Sequence, residues 1–130
     1  MALAFNRTLN AAIANAEPAA AATVVSAEID IGDDTIAEQV WLHVTVSDWA
    51  AAPTGNLQAG IQPMHTSSGT VFDDNTAFAV ATVAADAQYD FAFPLTTLPR
   101  FLKVAVKNNS SQNVADNCCH AWLEYVAVTA

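Results

Sequence analysis

From residue 23 onward, apolar and polar side chains alternate along most of the chain. In QVWLHVTVSDW, residues 39–49, valine or leucine fills every second position, while Trp41, His43 and Thr45 stand between them. A period of two is expected of a β-strand that buries one face and exposes the other. This segment is therefore predicted to be a strand.

The remainder of the chain contains more short segments of the same kind, separated by turn residues. They lie at residues 23–32, 56–64, 77–83, 88–95, 100–108 and 119–129. Pro63 is expected at an edge or end of its strand because proline cannot donate to a ladder, and Gly69 marks a turn. Seven or eight short strands without a long helix after residue 22 favour an antiparallel sandwich or barrel.

The first 22 residues show a different pattern and are rich in alanine. We expect a short helix from about Asn6 to Asn15, which ends before Pro18, followed by an extended connection. The segment lacks the cationic start and unbroken apolar run of a secretory signal, and no stretch of the chain approaches the length of a membrane span. The predicted organisation is an N-terminal arm, residues 1–22, and one domain, residues 23–130.

Charge is scarce and mostly negative. Thirteen Asp and Glu stand against four Lys and Arg, for a net charge of −9, which disfavours binding to a phosphate backbone. Three of the four basic residues, Arg100, Lys103 and Lys107, lie in TTLPRFLKVAVKNN, where the lysines alternate with an apolar stripe that includes Leu102. Lys103 and Lys107 are expected on the face away from the core. There they solvate the sheet and pair with carboxylates, or they meet an acidic patch on a partner.

The two cysteines, Cys118 and Cys119, are neighbours in the chain. A disulfide between adjacent residues lies outside ordinary disulfide geometry, so both are interpreted as reduced thiols and assembly as intracellular. Adjacent residues of a strand face opposite ways. One thiol is therefore expected in the core and the other nearer a rim.

Catalytic and metal-binding patterns are weak. The sequence contains no Gly-x-Ser-x-Gly, phosphate loop, His-Glu-x-x-His or Cys-x-x-Cys, and His43, His65 and His120 are scattered over separate segments. Residues 73–75 supply oxygen atoms of the kind that bind calcium, although such residues also form plain turns, as do those at 33–34. No cofactor is predicted.

The three tryptophans raise the possibility of a sugar-stacking platform. Trp41 and Trp122 lie within predicted strands and are expected to fill the core or a subunit interface. Trp49, next to AAAPTG, is interpreted as a loop aromatic.

Taken in order, these segments resemble the jelly-roll cement, or decoration, proteins on the heads of tailed bacteriophages. The resemblance covers roughly residues 23–130 and rests on AEIDIG, VWLHVTVSDW, GNLQAGIQPM, VFDD, YDFAFPLTTLPRFLKVAVKN and HAWLEYVAV. Its most recognisable part is PRFLKV, residues 99–104, which is similar to a Pro-Arg-aromatic-aliphatic-basic-aliphatic strand of that family.

The resemblance implies an all-β, antiparallel jelly-roll sandwich of about eight strands, preceded by an extended or partly helical N-terminal arm. It implies a non-enzymatic protein, assembled in the host cytoplasm, that binds the outer capsid surface as a dimer or trimer and ties major capsid proteins together. Neither a nucleic acid nor a membrane is an expected partner. The residues predicted to contact the capsid or a sister subunit are Leu3, Phe5, Arg7, Leu9, Ile13, Arg100, Lys103 and Lys107.

Within that hypothesis the arm is the main tether, and Arg7 is its one fixed positive charge. Each of its large apolar side chains would contribute roughly 1.5 to 3 kcal/mol if fully buried. Two alternatives remain open: a carbohydrate-binding jelly roll or another virion protein involved in host attachment, and a small jelly-roll enzyme in which the histidines converge with carboxylates.

Overall fold

The computed structural model describes residues 4–32, 35, 40–64, 79–95 and 99–129, and these form two antiparallel β-sheets. The strands are β1 (Ala4–Ala16), β2 (Thr23–Val25), β3 (Ile29–Asp30), β4 (Val40–Val46), β5 (Gly55–Met64), β6 (Ala79–Val83), β7 (Tyr89–Leu95), β8 (Phe101–Ser110) and β9 (Cys119–Thr129). No helix occurs in these ranges, and so none that could span a membrane.

The strand order is that of a jelly roll. The first sheet has the order β1-β9-β4-β7, and the second has the order β2-β8-β5-β6, with β3 also pairing with β8. The chain passes repeatedly from one sheet to the other, which closes a sandwich around one core. The predicted all-β jelly-roll class is confirmed.

The core lies between the sheets, where the alternating pattern predicts it. On β4, Leu42 and Val46 are fully buried. On β8 of the facing sheet, Leu102, Val104 and Val106 are equally inaccessible, and all five belong to one apolar cluster. Every second residue of these strands therefore points inward, as a two-residue period requires.

Strand β1 corrects the prediction of a helix at residues 6–15. Its register runs antiparallel to β9, from Ala4 opposite Thr129 to Ala16 opposite Cys119. Alanine favours a helix only weakly, and tertiary context overrides such preferences. Here the hydrogen-bonded edge of β9 and burial of Ile13 in the core select an extended strand. The segment predicted as an arm thus contributes the outermost strand of the first sheet.

A serine divides the strand predicted at residues 23–32. The Ser26 amide donates a hydrogen bond to the carbonyl of Val104 at 2.8 Å, while the Val104 amide donates to Ser26 Oγ at 2.9 Å. The Ser26 hydroxyl thus accepts the hydrogen bond that the Val104 amide would donate to a backbone carbonyl in a regular ladder. This local competition, common for serine, separates β2 from β3.

Candidate interaction surface

The surface of interest is the outer face of the first sheet, contributed by β1, β9 and β4. Its side chains are Phe5, Arg7 and Leu9 on β1, Trp122 and Glu124 on β9, and Trp41 and His43 on β4. Leu9, Glu124 and Trp41 occupy one row across the three strands, because Glu124 lies opposite both of the others. Paired residues of a sheet share a face.

Large apolar side chains on this outer face are unusually accessible. Phe5 is 68% exposed, Leu9 59% and Trp41 38%. Single exposed apolar residues are common on proteins, but a group of them on one face marks a site of interaction. The composition fits a contact with another macromolecule.

A charged cluster lies among these apolar groups. Arg7 donates a hydrogen bond to Glu124 Oε2, and His43 Nε2 lies 3.5 Å from the same oxygen. Within the described part of the chain, Nε2 has no hydrogen-bond partner. The hydrogen bond from Arg7 is the main reason that the pKa of Glu124 is lowered, with smaller contributions from the charges of Arg7 and His43. Glu124 therefore stays a carboxylate to a lower pH than an ordinary glutamate does.

The same residues line a shallow, open depression of about 300 Å³. Its walls are formed by Arg7, Leu9, His43, Thr45, Trp122 and Glu124. The depression combines one aromatic and one aliphatic wall with a fixed ion pair. Such a surface can receive a protruding side chain or a single ring.

Of the arm residues predicted to make contacts, Phe5, Arg7 and Leu9 come together on the outer face. Ile13 does not, because it is 5% exposed and packs in the core of its own sandwich. Register shifts after Ala11 and after Ile13 turn this part of β1 inward. Leu3 lies outside the described residues.

The remaining basic residues predicted to make contacts lie on β8 of the other sheet or, for Arg100, directly before it. Arg100 forms two hydrogen bonds with the carboxylate of Asp30, at 2.9 and 3.1 Å, and its guanidinium stacks 5.0 Å from the ring centre of Phe101. Arg100 and the backbone amide of Gly32 lower the pKa of Asp30. The charge of Arg100 is therefore already balanced within the chain.

Lys103 and Lys107 are half-buried and alternate with the buried stripe of β8, as predicted. Lys103 lies opposite Gln62, and Lys107 lies opposite Gln58. Their directly paired neighbours on β5 are thus neutral amides. The lysines lie on the outer face of the second sheet, so the predicted contact residues are divided between two faces.

The two described histidines, His43 and His120, both lie on the first sheet, and of these His43 lies beside the Glu124 carboxylate. His120 stacks on Trp122 with ring centres 5.8 Å apart, and its Nδ1 accepts a hydrogen bond from the amide of Asn15. His43 lies opposite Trp122. His65 and the candidate turns at 33–34 and 73–75 lie outside the described residues.

Cysteine positions follow the strand geometry. Cys119 is fully buried, and burial raises the pKa of its thiol to about 12. Cys118 is half-buried, and its thiol donates to the carbonyl of Asp116 at 3.2 Å. Within the described ranges, no group of three or more His, Cys, Asp or Glu side chains is arranged to hold a metal ion.

The tryptophans are arranged differently from the sequence prediction. Trp41 and Trp122 point outward instead of filling the core, and their place in a subunit interface stays a prediction. Trp49 lies outside the strands but is only 3% exposed. Its indole donates to the carbonyl of Ala87 and meets Tyr89 edge to face at 6.2 Å. The alternating pattern correctly places the Trp41 side chain on the outer face. The prediction that it fills the core was wrong because it relied on the size of the residue.

Comparison with known proteins finds similarity at the level of the fold. No family model and no curated protein sequence matches the chain. A chain of infectious bursal disease virus Gx strain superposes with a TM-score of 0.54 at 11% identity, over 95% of this chain and 32% of that one. The T13 particle of the same virus gives 0.54 at 11%, over 95% and 31%. A chain of the Ralstonia phage GP4 capsid gives 0.48 at 18%, over 97% and 84%.

At these identities the likeness to the bursal disease virus chains is one of fold. This chain spans about a third of the length of each of them. The shared feature is a β-sandwich of two antiparallel sheets.

Proposed function

We propose that this chain is a non-enzymatic structural protein of a virion, which binds the outside of a phage capsid and stabilises contacts between major capsid proteins. The observation that carries the proposal is the outer face of the first sheet. There Phe5, Leu9 and Trp41 expose large apolar surfaces around the Arg7–Glu124 pair. Aromatic and arginine side chains of this kind dominate the energetics of protein interfaces.

Two further observations support a capsid partner. The sequence of residues 99–104, PRFLKV, and the order of the strand segments resemble phage decoration proteins. The fold is also one that chains of viral particles adopt. On a capsid, a modest contact repeated by symmetry gains strength from every linked copy, so a shallow face is sufficient.

Cosedimentation with capsids that lack this protein tests the proposal. Wild-type chain is expected to bind saturably, at a fixed ratio to the major capsid protein. Leu9→Ser should weaken binding more than Val80→Ser, a matched change at an apolar side chain that is 57% exposed on β6 of the other sheet. If wild-type chain does not bind, or both variants bind equally, the proposed contact is wrong.

Lys103 and Lys107 of β8 are a second proposed contact with the capsid, and the same cosedimentation assay tests it. Lys103→Gln combined with Lys107→Gln should reduce binding and its sensitivity to salt if these cations meet acidic groups of the capsid. Unchanged binding at both low and high salt would restrict the capsid contact to the first sheet.

A carbohydrate-binding role is the second candidate, favoured by the outward rings of Trp41 and Trp122 beside Glu124. Aromatic faces and a fixed carboxylate are suitable for stacking on a sugar and binding its hydroxyl groups. Binding on a glycan array that is lost in Trp41→Ala, together with failure to bind capsids, would favour this role.

A further inference from the structure

We infer that β1 is held to the first sheet by a pH-dependent latch: the neutral ring of His120 accepts a hydrogen bond from the amide of Asn15, and protonation of the ring releases this end of the strand. The latch follows from the chemistry of these two groups and does not require a capsid. Its effect on capsid binding rests on the proposed function, because β1 carries part of the proposed contact face.

The latch is a single hydrogen bond between the backbone and a side chain. The amide of Asn15 donates to Nδ1 of His120 at 3.2 Å. A ring nitrogen accepts a hydrogen bond only while it carries no proton, so this ring is neutral and its proton is on Nε2. In a charged imidazole both nitrogens are donors. A second proton would therefore enter at Nδ1, meet the N–H of Asn15 and break the bond.

The bond matters because it replaces regular pairing at the end of β1. The register with β9 shifts between Ala11 and Ile13 and again between Ile13 and Ala16. Among the described pairs, no residue of β9 lies opposite Asn15, and the φ of Asn15 is 53°. Such a bulge leaves backbone groups outside the ladder. The ring of His120 supplies the acceptor that a strand carbonyl would otherwise provide, close in the chain to the buried Ile13.

The surroundings of His120 orient its ring and do not oppose a positive charge. The ring stacks on Trp122, with centres 5.8 Å apart. Its cross-strand neighbour on β4 is Thr45, whose hydroxyl donates to Asp90 on β7 at 2.8 Å. The other charged and titratable groups of the surrounding elements are Arg7 on β1, Glu17 after β1, His43 on β4, and Asp116 and Glu124 before and after His120 in the chain. Arg7 is paired with Glu124, so carboxylates predominate around the ring.

The first half of β1 is held by an interaction that persists to lower pH. The hydrogen bond from Arg7 keeps the pKa of Glu124 below its ordinary value of 4.5. Histidine, in contrast, is the side chain that changes its charge between pH 5 and 8. Mild acid should therefore loosen the chain around Asn15 first, while the ladder around Arg7 remains. His43 lies 3.5 Å from Glu124 Oε2, so its protonation acts on the Arg7 end of the strand.

Amide hydrogen exchange of the full chain tests the latch. After correction for the pH dependence of chemical exchange, the protection factor of the Asn15 amide should fall about three- to tenfold from pH 7.5 to pH 5.5, as expected for the loss of one hydrogen bond. Those amides of residues 4–11 that bond to β9 should keep their protection.

Two variants separate the latch from other titrations. His120→Gln offers a side-chain oxygen that does not titrate, so the protection of Asn15 should become independent of pH. His43→Gln removes the histidine beside Glu124 and should leave the wild-type response of Asn15 intact. An unchanged protection factor in the wild type, or an equal fall in His120→Gln, would overturn the inference.

The ring of wild-type His120 gives a second readout, which needs no variant. Nitrogen NMR at pH 7.5 should show the neutral tautomer with its proton on Nε2. A proton on Nδ1 at this pH would contradict the latch, because Nδ1 could not then accept from Asn15.

Cosedimentation with capsids at the same two pH values tests the regulatory effect. Wild-type binding should fall between pH 7.5 and pH 5.5 by more than the binding of His120→Gln. Equal falls in both chains would show that the latch does not regulate the contact. If wild-type chain binds at neither pH, the proposed function is wrong, and the exchange measurements still decide the latch.

Discussion

The side-chain amide of Asn108 on β8 donates a hydrogen bond to the backbone carbonyl of Pro18, 3.1 Å away. It donates a second bond to the carbonyl of Gln112 at 2.8 Å, and its oxygen accepts bonds from the amide and hydroxyl of Ser110. The side chain is fully buried. One amide thus attaches the connection between β1 and β2 to the second sheet.

Replacing Asn108 with alanine is expected to destabilise the fold by about 1 to 3 kcal/mol, because it removes the hydrogen bonds that this buried amide makes with Pro18, Gln112 and Ser110. Asn109→Ala is the control, since that neighbour is exposed. Urea unfolding of the two variants measures the difference. Equal free energies of unfolding would show that water replaces the lost amide.

Gly55 is predicted to be intolerant of a side chain. Its φ is 114°, and an added Cβ would lie 2.7 Å from the backbone carbonyl oxygen of Asn109. Gly55→Ala should therefore lower the free energy of unfolding by about 1 to 3 kcal/mol from backbone strain, with a further loss from the clash. Gly32→Ala isolates the strain, because Gly32 has a φ of 75° but an added Cβ there meets no atom within 4 Å. Similar losses in both variants would contradict the clash.

The Arg7–Glu124 pair predicts a pH-dependent contribution to stability. Because the pKa of Glu124 is lowered below its ordinary value of 4.5, the pair stabilises the fold above that value and loses this effect as the pH falls through the folded-state pKa. Arg7→Gln should cost about 0 to 1 kcal/mol at pH 7, since Arg7 is largely exposed. The cost should shrink in acid. Lys107→Gln removes the same charge elsewhere, and an identical pH profile for the two variants would refute the assignment.

The two thiols should react at very different rates. With its pKa raised to about 12 by burial, Cys119 is not expected to react in the native chain. A thiol reagent at pH 8 should modify one cysteine per native chain and two in urea. Cys118→Ser should abolish the native reaction, and rapid modification of both thiols in the wild type would argue against burial of Cys119.

Much of the sandwich is predictable because alternation directly encodes burial. Leu102, Val104 and Val106 are assigned to the core correctly, and Lys103 and Lys107 to the outer side. The pattern specifies which face of a strand is inside, and it does so without knowledge of the partner strand.

Strand β1 could not be predicted in this way, since alanine and asparagine give no clear period. Its conformation depends on an edge supplied by β9, more than a hundred residues later in the chain. Ile13 shows the same limit. Only the register shifts near it show that this residue belongs to the core and not to the outer face with Phe5 and Leu9.

The tryptophans show how residue type can mislead. The size of Trp41 suggests burial, yet it lies two residues from His43 on the same strand and so shares the outer face with it. Trp49 is buried instead, by contacts with Tyr89 and Ala87 that no local pattern contains. The cluster of Arg7, His43 and Glu124 likewise assembles from three strands. Charge and aromatic content mark such residues as candidates, but only the register brings them together.

The pairing of Ala4 with Thr129 has a mechanical consequence. A pull applied through these two residues would open the β1–β9 ladder like a zipper, breaking its hydrogen bonds one after another rather than loading them together. We expect this edge to yield at low force in that direction. A load carried through the side chains of the sheet would instead be shared by several strands, so the direction of tension determines how firmly the sheet resists it.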